Sequence, residues 1–297
     1  MTTIQQLEAL DFFNKHAEDW RAKAEGVDSS KVNVIEQRNG YVLQVAAERS
    51  VTRSFLDVGC GTGELVCQIA QRGVEATGVD YAPEMIALAS NKAQDERIAR
   101  TRFVCCSIFD FTIQRESYDL ISANGFIEYI SQQDLLTLFD LVGKALTPGG
   151  SFVVGSRNRL FNLVSMNDFS LQDTESGNID LLIREAVEWA RAKDIVRVAS
   201  AECAPLQVPG TEHAKTGIDV TTRYQYSPFQ LISLLQDRGL RAVEVYPVHI
   251  HGVTPAFADE HLAIHTSIAT LLQAYARHNT QLLSQASSFM LHLTKGK

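Results

Sequence analysis

The chain has 297 residues, 45% of them hydrophobic, a net charge of −8 and a pI near 5.5. That length and apolar content suffice for one large α/β domain with an insertion, or for two small domains. The acidic balance excludes a surface built for nucleic acid or an anionic membrane, since either needs clustered Lys and Arg.

Taken in chain order, residues 1–52 hold two amphipathic helices, "LEALDFFNKHAEDWRAKA" and "SSKVNVIEQRNGYVLQVAAERS". Both are too polar to stand alone, so a helical cover over the carboxyl edge of a sheet is expected. The N-terminus has no signal-peptide apolar region, and no apolar run reaches the roughly 20 residues of a membrane span. The expectation is a cytoplasmic protein without a membrane span or nucleic-acid partner.

Residues 53–156 alternate between short β-branched runs and helical spacing. "SFLDVG", "VEATGVD", "TRFVCC", "YDLISAN" and "SFVVGS" read as strands. "GELVCQIAQRG", "APEMIALASNKAQ" and "SQQDLLTLFDLVGKAL" read as helices, the last stopped by "TPGG". Such alternation produces parallel strands with right-handed helical crossovers, hence a doubly wound α/β sheet. Residues 157–225 interrupt the pattern with one helix, "NIDLLIREAVEWARAKDI", and are expected to form an inserted helical and mixed cap. Residues 226–297 complete the core. There "SPFQLISLLQDRGL" is a helix capped by Ser227 with Pro228 at its first turn, and "RAVEVYPVHIH" is a strand. A long helix around "DEHLAIHTSIATLLQAYARHNTQLLSQ" and a final strand "SSFMLHLTKG" follow, for seven strands in all.

Five cysteines (Cys60, Cys67, Cys105, Cys106, Cys203) form an odd set with no C-x-x-C pair. Neither a disulfide framework nor a thiolate zinc site is indicated.

The first strand ends in an acid and runs into Gly59-x-Gly61-x-Gly63 at the start of a helix, which brings bare backbone toward a nucleotide-like ligand. A dinucleotide loop, G-x-G-x-x-G, would need glycine at position 64, where this chain has Glu64. An acid there also repels a pyrophosphate. Together "LDVGCGTGEL", "ATGVDYAPEMI", "YDLISANGFIEYI" and "LTPGGSFVV" resemble a class I S-adenosylmethionine-dependent methyltransferase of the small-molecule type found among quinone and natural-product methyltransferases.

The resemblance implies a Rossmann-like methyltransferase fold, a mostly parallel seven-stranded sheet, with S-adenosylmethionine as cofactor and S-adenosylhomocysteine as product. Gly59, Cys60 and Gly61 would pass beneath the ribose and methionine portion. Asp57 would support the ligand's ammonium, and Asp80 would accept both ribose hydroxyls, a carboxylate offering two acceptors to adjacent donors. Tyr81 would border the adenine, Ile108 would pack it, and Ser107 stands where family members commonly carry an acid. Asn124 and Gly125 would meet the methionine end. Arg38 is read either as a partner of the cofactor carboxylate or as part of a solvated helix face. Glu128 and Tyr129 occupy positions where family members often carry an acid and a histidine, so a base at Tyr129 is doubtful and Tyr129 is placed in the acceptor site. Trp20 closes the pocket or packs the core.

On the acceptor side, "VHIHG" places His249 and His251 on one face at a strand's carboxyl end, where imidazole suits removal of a hydroxyl proton. Hydrogen-bonded histidines finishing a strand are the plain alternative. His261 and His265, four residues apart, offer a further reading as a metal set with that pair, but no metal is assigned. Arg223, Tyr224 and Tyr226 form a polar aromatic group suited to the acceptor. The expected function is methyl transfer to an oxygen or nitrogen of a small-molecule acceptor, and a homodimer is left open. Two other classes stand beside it: a catalytically silent adenosylmethionine-binding partner subunit and a nicotinamide-dependent oxidoreductase.

Overall fold

In a computed structural model, which describes residues 4–26, 31–192, 195, 202–207 and 224–296, seven strands form one sheet. They are β1 (Ser54–Val58), β2 (Glu75–Asp80), β3 (Thr101–Cys105), β4 (Tyr118–Asn124), β5 (Leu146–Arg157), β6 (Leu240–Ile250) and β7 (Ala286–Lys295). The order is β3-β2-β1-β4-β5-β7-β6. The first five strands pair in parallel, and β7 runs antiparallel to both β5 and β6. The fold is therefore the doubly wound, mostly parallel sheet expected from the alternation.

Both faces of the sheet are covered, and consecutive residues show it. Phe55 belongs to one apolar cluster and Leu56 to the other; Val153 and Met290 face the first, while Phe152, Val154, Phe289 and Leu291 face the second. A strand sends alternate side chains to opposite faces, so two cores need near-continuous apolar runs. Among the described residues no helix is long and apolar enough to cross a membrane.

Several elements depart from the sequence expectation. The first predicted helix is two, Ile4–Lys15 and Ala17–Ala24, because His16 leaves helical geometry at φ −111°, ψ 21°. The long C-terminal helix is likewise broken into Pro255–Glu260, Leu262–Gln273 and a 3-10 segment Thr280–Gln285. His261 (φ −129°, ψ 54°) and His278 (φ 54°) make the breaks. The helix before Thr147-Pro148-Gly149-Gly150 ends at Ala145 as expected, but β5 starts earlier than expected, at Leu146, and takes these four residues in. The register jumps there from Tyr118↔Leu146 to Leu120↔Ser151, an irregularity that absorbs the extra residues. The helix Pro228–Gln236 does start on a reciprocal Ser227/Gln230 cap with proline in its first turn.

Candidate functional site

From β1 the chain runs outward through β2 and β3 and then returns to β4 on the other side of β1, which leaves a crevice between the carboxyl ends of β1 and β4. Two lobes meet in it and share Trp20, Gly59, Gly61, Asn124, Gly125 and Tyr129. One, about 910 Å³ with its open mouth, is mainly apolar: Phe13, Met85, Ile108, Phe109 and Ile130 surround Asp80, Tyr81 and Ser107. The other is lined by charge from Arg38, Asp57, Glu64, Glu128 and Arg157, with Cys60 and His249 in its wall.

The glycine loop is tied to β2. Gly59 and Cys60 N–H donate to Val79 O at 2.8 and 3.2 Å, and Gly61 N–H donates to Asp80 Oδ2 at 3.0 Å. Asp80 Oδ1 accepts from Ala82 N–H at 2.9 Å. Gly59 sits at φ +70°, and a Cβ there would come within 2.8 Å of the Phe126 ring. Gly61 at φ +52° differs: its missing side chain opens into the crevice, with Trp20 Nε1 the nearest atom at 3.9 Å. The first glycine is required by packing and by its left-handed backbone, the second by its left-handed backbone alone, and its missing side chain leaves the crevice open. Cys60 turns inward so closely that a Cβ on Gly78 would lie 2.7 Å from its sulfur, and burial raises its thiol pKa well above the ordinary value. It is a small side chain fitted beneath a turn, not a reactive thiol.

Negative charge is concentrated at this point. Asp57 is 4% exposed and accepts from Ser122 Oγ–H. Burial, reinforced by Asp80 and Glu64 and partly offset by that bond, pushes its carboxyl up to about 7. Burial likewise raises Glu64 and Asp80. Acids crowded in low dielectric hold their protons unless a cation joins them, so the crevice suits a cationic ligand. Opposite them, Arg38 donates from Nη2 to Ser288 Oγ at 2.8 Å and lies 3.6 Å from Glu128 Oε1. Any Cβ on Gly125 would collide with Arg38 Nη1, so that glycine makes room for the guanidinium. Asn124 Oδ1 and Arg38 Nε are buried without a hydrogen-bond partner among the described residues.

Residues 55–150 match a family profile described as a methyltransferase domain. These residues are a methyltransferase domain. It is 29% identical over 164 residues to the ubiquinone biosynthesis O-methyltransferase of Psychrobacter cryohalolentis, covering 50% of this chain and 63% of that protein. The chain thus spans less than two thirds of such relatives. Magnesium protoporphyrin IX methyltransferase from Synechocystis PCC 6803 shares the fold at a TM-score of 0.57 and 13% identity, over 98% of this chain and 100% of that one. A Haemonchus contortus phosphoethanolamine N-methyltransferase 2 superposes at 0.51 with 16% identity, over 88% of this chain and 52% of that one.

The methyltransferase domain fits its family's cofactor. The orphaned Asn124 and Arg38 atoms and the open face of Gly61 line the cleft, and the acid cluster matches a sulfonium and an ammonium. Tyr81, Ser107 and Ile108 wall the apolar lobe. Trp20 and Tyr129 stand at the junction of the lobes, both in edge contact with Phe13 at 5.4 Å.

The acceptor-side expectations fare unevenly. Tyr224 and Tyr226 are each 1% exposed and line neither lobe. They pack in the core with ring centroids 6.4 Å apart, so burial removes them from the acceptor surface. Arg223 lies outside the described residues. His249 and His251 do lie together, ring centroids 4.2 Å apart, but both nitrogens of His249 are engaged: Nδ1 lies 3.0 Å from Ser287 Oγ and Nε2 lies 3.0 Å from His265 Nε2. Burial, aided by His265, lowers His251 to about 4. An imidazole that holds its proton so weakly is a poor general base at neutral pH. His261 is outside the group, exposed and tilted against Phe257 with ring centroids 4.4 Å apart.

Arg157 is the residue that sequence reasoning missed. It ends β5, its N–H donates to Glu128 Oε1 at 2.9 Å, and its Nε lies 3.4 Å from Glu128 Oε2. Glu128, 3% exposed, thus sits between two guanidiniums. The acid in "GFIEYI" was the available signal; its second cation comes from a strand 29 residues away.

Proposed function

We propose that this protein transfers the methyl group of S-adenosylmethionine to an oxygen or nitrogen of a small-molecule acceptor. The observation that carries this reading is the placement of Asp80, held by Gly61 and Ala82 N–H, in an apolar lobe sized for a base that meets, at Gly59 and Gly61, a charged lobe suited to an amino acid. The cofactor supplies an electrophilic methyl on a sulfonium whose departure leaves a neutral thioether. The acceptor's lone pair forms the new bond as the carbon–sulfur bond breaks, and the acceptor loses one proton. Alignment therefore provides most of the acceleration.

In this reading Tyr81, Ile108 and Ser107 hold the adenine, Asp80 the ribose, Asp57 and Asn124 the ammonium end, and Arg38 the carboxylate. Trp20 and Tyr129 bound the acceptor's approach. His249 stands in the charged lobe's wall, and His251 lies beside it. The O-methyltransferase and N-methyltransferase names among the similar proteins support a small acceptor without choosing its atom.

The test is formation of S-adenosylhomocysteine when protein and adenosylmethionine are incubated with panels of hydroxylated and amino metabolites. Turnover with a small molecule supports the assignment. Tight adenosylmethionine binding with no turnover across the panels would favour the silent partner subunit.

Proton linkage supplies a second prediction. Below pH 7 the Asp57 carboxyl is protonated in the free protein, and a bound ammonium pulls it back to the charged form. Binding then releases a proton, so affinity for adenosylhomocysteine should rise as pH increases from 5.5 to 7, by at most about tenfold per unit, and flatten above. Titration calorimetry across that range checks this, and Asp57→Asn should abolish the slope.

A further inference from the structure

Three imidazoles from two separate elements meet behind the charged lobe, and methyl transfer by alignment does not require them. We propose that His249, His251 and His265 bind a divalent first-row transition-metal ion, with zinc as the reference occupant.

Each of the three offers one ring nitrogen, and these atoms all lie within 4.8 Å of one another. The Nε2 atoms of His249 and His265 are 3.0 Å apart. Zinc–imidazole bonds of about 2.1 Å put neighbouring ligand nitrogens roughly 3.0–3.4 Å apart, so closing the triad on an ion needs only small side-chain shifts. The ring centroids, at 4.2, 4.5 and 5.2 Å, already surround a common point.

Hydrogen bonding within the protein does not account for the cluster. Both nitrogens of His251 and Nδ1 of His265 are buried with no partner among the described residues, and His265 is only 5% exposed. Leaving buried polar atoms unmatched costs about 1–3 kcal/mol each. An ion held through Nε2 of His249 and His265 is a partner that one of the two His251 lone pairs can take.

The surroundings fit as well. Ser287 Oγ can donate to His249 O at 3.5 Å and accept from His249 Nδ1–H at 3.0 Å, which leaves the lone pair on Nε2, facing His265. Metal-bound histidines are oriented in this way by the bond on their other nitrogen. His249 is also held at φ +55°, with its N–H shared between Gln37 Oε1 at 2.9 Å and Gln273 Oε1 at 3.1 Å. A non-glycine residue in that conformation persists only when its surroundings impose it. Phe161 fixes the third ring at a centroid distance of 4.6 Å.

Neutral nitrogens without a thiolate select zinc, cobalt, nickel, copper or iron over magnesium and calcium. Three protein ligands leave at least one position for water or a substrate oxygen. Because His249 also lines the charged lobe, an ion here would stand beside the lobe assigned to the cofactor's amino-acid end. That consequence rests on the methyltransferase reading; the site itself does not.

The experiment uses the full chain stripped with a chelator, titrated with zinc chloride by calorimetry and with cobalt chloride by visible absorption. The expected result is one ion per chain, a cobalt ligand-field band, and a higher unfolding temperature with zinc. His251→Ala and His265→Gln should each weaken zinc binding at least about 100-fold, and His261→Ala should leave it unchanged. Absence of stoichiometric zinc and cobalt binding by folded wild-type protein overturns the proposal, as does binding that survives loss of His251 and His265 together. Adenosylhomocysteine binding measured on the same stripped sample reports the cofactor site separately, so the two readings fail independently.

Discussion

Asp80→Ala is expected to weaken S-adenosylmethionine and S-adenosylhomocysteine at least about 100-fold while leaving the protein folded. The carboxylate has two tasks. In the ligand-free structure Oδ2 accepts from Gly61 N–H and Oδ1 from Ala82 N–H, which fixes the loop at the end of β1 to the end of β2. In the proposed complex it accepts the ribose hydroxyls as well, and hydrogen bonds to a charged group are worth about 1.5–3 kcal/mol each. Losing one such bond outright and loosening the loop together account for about 2.7 kcal/mol, the equivalent of 100-fold. Asp80→Asn should fall between the two: one acceptor survives, but an amide hydrogen then faces either Gly61 N–H or Ala82 N–H. Calorimetry with adenosylhomocysteine reads the binding, and the unfolding temperature reads the fold. Affinity in Asp80→Ala within threefold of wild type would mean that the ribose is held elsewhere.

Asp80 could be picked out from sequence because its signal is local. It closes an apolar strand, 19 residues after Gly61, and the intervening helix has the 3.6-residue spacing that returns the chain to the same edge. All seven strands were readable for the same reason: a period of two or an unbroken apolar run is written into consecutive residues. Breaks in helices are written much less clearly. Hydrophobic spacing through His16 or His261 continues smoothly, yet the backbone turns at both, since the packing of distant elements decides where a helix bends. Thr147–Gly150 mark the stop correctly, since the helix ends at Ala145, but nothing local shows that the irregular β4–β5 register then houses them within a strand. The histidines show what spacing leaves out. His261 and His265 share a helical spacing on paper, but the helix starts at Leu262, so only His265 is carried toward β6. Tyr224 and Tyr226 read in sequence as part of an acceptor-facing group with Arg223, and the bridge between Asn158 and Tyr226 draws the two rings inside.

The least legible feature is the anchor of the segment after β5, and it yields the other large expected effect. Asp173→Ala should destabilise the protein by about 3–5 kcal/mol. Arg159 and Asp173 look like surface residues in sequence, but their side chains are 2% and 5% exposed. Arg159 donates from Nε and Nη2 to Asp173 Oδ1 at 2.9 and 2.6 Å and from Nη1 to Pro205 O at 2.6 Å. Asn162 Nδ2 donates to Asp173 Oδ2 at 2.6 Å and to Gln225 Oε1 at 2.8 Å. The network joins the end of β5 to both sides of the inserted segment. Removing Asp173 leaves the guanidinium without the carboxylate it is bonded to, in low dielectric, and the unfolding midpoint should fall by roughly 10 °C at the 2–4 °C per kcal/mol typical of large domains. The double variant Arg159→Met/Asp173→Leu removes both charges and should recover most of the loss, because the penalty lies in the unpaired charge rather than in the absent attraction. A midpoint within 2 °C of wild type in Asp173→Ala would show that water reaches Arg159, and that apolar packing alone holds the segment against the sheet.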